Sequence, residues 1–127
     1  MSQTILRAED IVKTFFGNCV LDHVQLDLRV GRVHALCGEN GAGKSTLLKI
    51  ITGIYTKDSG RILMDGQEIT INSVADAKRH GIHVVPQEMQ ILGNLTVAEN
   101  IFLSERPCTR TGRIDWKRMF SRAEEVK

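Results

Sequence analysis

Across residues 24–30 the side chains alternate strictly, with Val24, Leu26, Leu28 and Val30 apolar and Gln25, Asp27 and Arg29 polar. A repeat of two is that of a strand with one packed face and one wet face, as in an antiparallel sheet. Residues 5–14 predict its partner, with Phe15, Phe16, Gly17 and Asn18 as the turn between them. Asp58, Ser59 and Gly60 read as a further turn. Residues 61–64 and 67–71 then predict a hairpin, because the intervening Asp65-Gly66 supplies the positive φ angles of a type I′ turn. Two short apolar runs, residues 33–37 and 82–85, do not alternate and predict buried strands. Pro86 ends the second, since proline cannot donate to a central ladder.

The helical pattern is equally local. Residues 45–52 predict a helix with Leu47, Leu48 and Ile51 on its apolar face and Gly53 as its stop. Ser73 with Asp76 starts a second helix, which Gly81 ends. Thr96 and Glu99 match a capping box and predict a helix running to about Leu103. Residues 104–114, with Pro107 and Gly112, form a loop. Asp115 then caps a last helix with Trp116, Met119, Phe120 and Ala123 on one face. No stop signal follows before Lys127, so the chain is expected to be cut from a longer one.

Composition narrows the class. The chain has 127 residues, 42% of them hydrophobic and 25% charged, a balance that supports a packed core and argues against disorder. Net charge is only +2, too small to point to a nucleic acid or an acidic membrane. Arg106, Arg110, Arg113, Lys117 and Arg118 lack interleaved aromatics and read as a solvated surface, so no nucleic-acid partner is expected. No apolar run approaches membrane-spanning length, and any membrane role is expected to come through a partner. Cys19, Cys37 and Cys108 are odd in number and show no metal spacing, which fits free thiols. His23, His34, His80 and His83 show no metal-site spacing either.

The strongest chemical signal is Gly38, Glu39, Asn40, Gly41, Ala42, Gly43, Lys44 and Ser45, a complete GxxxxGK[ST] motif set between an apolar run and a helix. Glycines let backbone N–H groups converge on a phosphate without Cβ clashes. The helix start adds unpaired N–H groups and partial positive charge. Lys44 can reach the β- and γ-phosphates, and the Ser45 hydroxyl can bind Mg²⁺. The motif alone does not separate kinases, GTPases, motor ATPases and transporters.

The surrounding stretches GENGAGKSTLLKIITGIY, DSGRILMDG, GIHVVPQE and LTVAENIF, in that order, resemble ATP-binding cassette (ABC) ATPases. The glutamate–asparagine pair in the loop, VAENIFL and GRIDWKRM are most similar to the bacterial carbohydrate-import group. The resemblance implies an α/β fold of the P-loop NTPase type: a partial core sheet, an antiparallel β-subdomain and the start of a helical subdomain. Residues 1–127 would form the N-terminal part of one nucleotide-binding domain. It implies ATP and Mg²⁺ as ligands, with Gly38, Glu39, Asn40, Gly41, Ala42, Gly43, Lys44, Ser45 and Thr46 around the phosphates. Phe15 falls where the family sets an aromatic against adenine, although core packing of Phe15 and stacking by Phe16 both compete with that role. Gln87 falls at the position that touches Mg²⁺ or the attacking water. Lys44 and Gln87 would serve catalysis, with Ser45 and Gln87 on the metal.

As partners the resemblance implies a second ATPase cassette and membrane subunits, the latter contacted by residues 87–103, at the cytoplasmic face of the inner membrane. The intact parent would couple ATP binding and hydrolysis to uptake of a sugar or similar small polar solute. The family's signature sequence, the apolar strand ending in Asp-Glu and the switch histidine do not occur between Met1 and Lys127. The chain alone is therefore expected to bind nucleotide without hydrolysing it. It is also expected to leave the run at 33–37 with an unpaired edge and to self-associate. Alternatives are a non-transport cassette ATPase of DNA repair or translation, a plain nucleotide-binding module, and a small-molecule kinase. Repair types carry insertions that nothing here matches, and VVPQE followed by LTVAEN disfavours a kinase.

Overall fold

The computed structural model describes residues 3–39, 41, 43–85, 91–103 and 105–126. The chain forms two compact units, Met1–Val85 and Pro86–Lys127.

The first unit is built on two long strands, β1 (Thr4–Phe15) and β2 (Asn18–Arg29), paired antiparallel. Strand β1 is longer than the pattern predicts and includes Phe15, leaving only Phe16 and Gly17 in the turn. Both have positive φ, 49° and 84°, the signature of a type I′ connection. Strand β3 (Ser59–Met64) pairs antiparallel with the other edge of β1, and β4 (Gln67–Ile69) follows across Asp65-Gly66. The sheet order is β2-β1-β3-β4. Strand β4 stops short of the predicted Ile71, which turns into the core instead.

One face of this sheet carries the core. Leu6, Ala8, Ile11, Leu21 and Ile62 are buried together with Leu47, Ile50 and Ile51 of α1 (Lys44–Ile51), and with Ile71 and Ala77. Val24, Leu26 and Leu28 pack on the rim of the cluster, as their alternation requires. On the other face Asp27, Arg7, Glu9 and Arg61 form a chain of alternating charges across β2, β1 and β3.

Helix α1 ends at Gly53, whose φ of 76° closes a Schellman turn: Gly53 N–H donates to Ile50 C=O at 3.1 Å and Ile54 N–H to Lys49 C=O at 2.8 Å. In α2 (Val74–Arg79) the Ser73 hydroxyl accepts from Asp76 N–H. The apolar face of α1 is Leu47, Ile50 and Ile51 rather than the predicted Leu47, Leu48 and Ile51. Leu48 is about half exposed, because the sheet lies one helical step around.

Neither non-alternating run forms a strand. Residues 33–37 carry no ladder and are exposed throughout, with Val33 fully so. Residues 82–85 likewise stay outside any strand, with Val84 and Val85 exposed and only Ile82 packed on the core. A strand without alternation needs hydrogen-bond partners at its edges and cover on both faces. Among the described residues nothing pairs with either run.

The second unit packs α3 (Val97–Ile101) against α4 (Trp116–Glu124) through Ala98, Phe102 and Met119. The capping box at Thr96 and Glu99 is complete, and Asp115 caps α4 by accepting from Arg118 N–H. Trp116 and Phe120 lie half exposed, stacked on each other at 6.1 Å rather than buried with Met119. Pro86 lies outside the described residues.

Candidate functional site

The GxxxxGK[ST] segment delivers the chain directly into α1. Gly43, at the N-cap, has φ 83° and offers no side-chain cap. No acidic residue stands in the first turn. The first intrahelical bond runs from Leu47 N–H to Gly43 C=O at 2.9 Å. The amides of Lys44, Ser45 and Thr46 therefore have no helical acceptor behind them, the usual condition of a helix start. An uncapped helix start is a region of positive potential that suits an anion.

Gly43 has a second reason to be glycine. A Cβ at this position would lie 2.6 Å from Leu21 Cδ2 and 2.9 Å from the Val20 carbonyl oxygen. The loop thus rests directly on β2. Around it Val20, Gly41, Gly43, Lys44, Ser45 and Thr46 line a cavity of about 220 Å³. Gly41 also has a positive φ, 89°, but open space where a Cβ would sit.

Lys44 folds back over the loop. Its Nζ donates to the carbonyl oxygens of Gly38 and Glu39, both at 2.5 Å. One ammonium therefore spans the loop from its first residue to its last turn. Ser45 is exposed and Thr46 half-buried beside it. The uncapped helix start and the Lys44 ammonium make a donor-rich cradle that suits a phosphate group, and Ser45 is exposed beside it. Asn40 and Ala42 lie outside the described residues, as does Gln87. The predicted partnership of Gln87 with Ser45 on a metal is therefore carried by sequence alone.

Phe15 is half-buried at the end of β1, while Phe16, next along, is fully exposed. Phe15 meets Tyr55 in an edge-to-face contact with ring centroids 5.2 Å apart and planes at 66°. Tyr55 was not singled out by pattern, because a lone aromatic after a helix carries no periodicity. Asp58, which the pattern places only in a turn, also braces the end of β1. Its carboxylate accepts from Lys13 Nζ and from Thr14 N–H, each at 2.7 Å, and these bonds, the lysine first, hold its pKa below the usual carboxylate range.

In the second unit Ile91, Leu92, Val97, Ile101 and Leu103 expose apolar side chains around α3. Asn100 fastens this region. Its Oδ1 accepts from Leu92 N–H at 2.9 Å, and its Nδ2 donates to the carbonyls of Leu92, Leu95 and Thr96 at 3.1, 3.3 and 3.0 Å. An asparagine inside a capped helix is a usable signal, because its side chain competes for backbone groups and is disfavoured there without such a task.

An apolar stretch, a glycine loop resting on a strand and an uncapped helix, in that order, are the features of a P-loop nucleotide-binding fold. The profile of the ABC transporter family matches residues 21–127, and the chain belongs to that family. It is 54% identical over 120 residues to the ribose import ATP-binding protein RbsA 2 of Streptomyces coelicolor, covering 94% of this chain and 23% of that protein. It is 50% identical over 122 residues to the ribose import ATP-binding protein RbsA 1 of Streptomyces avermitilis, covering 96% and 23%. Among solved structures it is similar to the ADP conformation of an ATP-binding cassette of an ABC transporter, with TM-score 0.73 and 36% identity over 93% of this chain and 45% of that one. The chain thus spans about a quarter of the length of the curated relatives it matches.

Proposed function

We propose that this chain holds the phosphates of ATP within the ATPase subunit of an ABC importer. There, ATP binding and hydrolysis drive uptake of ribose or a related small polar solute. The observation that carries this reading is the uncapped start of α1, entered from a glycine loop that rests on Leu21 and is spanned by Lys44. The relatives' names and the likeness to an ATP-binding cassette in its ADP conformation support it.

In this reading the backbone of residues 38–46 and the Lys44 ammonium bind the phosphates. The Ser45 hydroxyl, with Gln87, ligates Mg²⁺, which supplies charge neutralisation at the phosphates. Phe15 stacks on the base, a contact worth roughly 1–3 kcal/mol. The exposed apolar side chains around α3 face the membrane subunits, and a second cassette completes the site. Among the described residues no helix is long and apolar enough to cross a membrane. In this reading the chain sits at the cytoplasmic face of the membrane through its membrane subunits.

Hydrolysis also needs an aspartate on the metal and a carboxylate that polarises water, and no residue here matches either. The 127-residue chain is therefore expected to bind MgATP without releasing phosphate. Titration calorimetry of wild type and Lys44→Ala tests the reading. Removing a charged donor should weaken MgATP on the order of tenfold to a hundredfold. Equal affinity for the two proteins sinks the assignment of the loop.

A further inference from the structure

The segment that leaves α1 grips the end of β1 at three consecutive residues. Asp58 holds the Lys13 ammonium and the Thr14 N–H, each at 2.7 Å. Tyr55 meets the ring of Phe15 with centroids 5.2 Å apart, inside the range of a favourable edge-to-face pair. Tyr55 is itself fixed to α1. Its N–H donates to Lys49 C=O at 3.0 Å, and the Lys49 ammonium stands 5.2 Å from its ring centroid. The Lys13 ammonium stands 5.3 Å from the Phe15 centroid. Phe16, by contrast, is fully exposed at the hairpin tip.

These contacts make Phe15 the better ordered of two adjacent phenyl rings. An aromatic platform that is held before its ligand arrives loses little freedom when a base stacks on it. The brace also ties the ring to α1, the element whose first turn forms the phosphate cradle. We propose that Tyr55 is a positioning residue that sets the Phe15 ring for base stacking. This rests on the reading that Phe15 stacks on adenine.

The test compares ATP with inorganic tripolyphosphate, which lacks the base, in the presence of Mg²⁺. Tyr55→Leu should weaken ATP about three- to tenfold and leave tripolyphosphate within about twofold, since the loosened Phe15 ring must then be ordered when the base binds. Tyr55→Phe keeps the ring and should restore wild-type affinity. Tyr55→Met serves as a second ring-less variant should the leucine protein fail to fold. Equal losses for both ligands mean that Tyr55 acts only through the fold, and an unchanged ATP affinity means that it does not act. Either result overturns the proposal. Phe15→Ala separates the two layers. If it leaves ATP affinity unchanged, the stacking reading falls and takes the proposal with it. If it weakens ATP while Tyr55→Leu does not, stacking stands and positioning alone is lost.

Discussion

Gly43→Ala is the sharpest test of how the loop is seated, and Gly41→Ala is its control. Both glycines have left-handed φ, 83° and 89°. Placing a Cβ in that region costs about 1–2 kcal/mol at either site. The sites differ in what the new methyl meets. At Gly41 it meets nothing within 4 Å, whereas at Gly43 it would lie 2.6 Å from Leu21 Cδ2 and 2.9 Å from the Val20 carbonyl oxygen. Leu21 is buried in the core, so it cannot swing into solvent. Forcing an extra methyl against a packed core costs about 1–3 kcal/mol more. Gly43→Ala should then total about 2–5 kcal/mol, a large part of a typical domain stability of roughly 5–15 kcal/mol. Thermal unfolding followed by circular dichroism should show Gly43→Ala melting well below Gly41→Ala, by roughly 4 °C or more for each kcal/mol of difference. Tripolyphosphate binding should fall further in Gly43→Ala, because the loop must lift from β2. Equal melting temperatures for the two variants would refute the argument that contact with Leu21, and not φ alone, selects glycine.

Three further outcomes are expected. Asp58, Asp76 and Glu99 each have lowered pKa values: the Lys13 ammonium and Thr14 N–H act on the first, the Ser73 side chain, Asn72 N–H and Arg79 on the second, and the Thr96 N–H and hydroxyl on the third. A carboxyl with a lowered folded-state pKa adds stability above its unfolded value, about 3.9 for Asp and 4.3 for Glu, and loses it as pH falls through the folded value. The melting temperature should therefore hold level above about pH 5 and drop on acidification, and a flat profile down to about pH 3 contradicts it. Phe16 holds φ 49° in the β1–β2 turn with an exposed ring. Phe16→Asn, which tolerates that conformation, should raise stability by about 1 kcal/mol in a urea titration, and a loss counts against the strain. Leu26, Leu28, Val33, Leu36, Leu48 and Ile51 line an apolar groove of about 420 Å³ beside the unpaired run at 33–37. Sedimentation should show concentration-dependent self-association that Val33→Lys with Leu36→Lys reduces. A monomer that melts cooperatively at high concentration excludes it.

Features set by near neighbours were legible in the chain itself. The type I′ turn at Asp65-Gly66, the caps at Ser73, Thr96 and Asp115 and the stop at Gly53 each depend on a few consecutive residues, and each is found where its pattern places it. Alternation at 24–30 located the second half of β2 and residues 5–14 its partner β1, because antiparallel hairpin strands need only each other; that β2 begins as early as Asn18 is not legible in that pattern. What lay beyond reach depends on residues distant in sequence. The runs at 33–37 and 82–85 are apolar enough to be strands, yet a ladder is a property of two segments, and none of the described residues pairs with them. The seating of Gly43 on Leu21 and the packing of Phe15 against Tyr55 join positions far apart along the chain. Spacing marked out the glycine loop and the start of α1; only folding brought Leu21 beneath Gly43 and Tyr55 against Phe15, because packing is decided by proximity in space and local pattern carries no record of it.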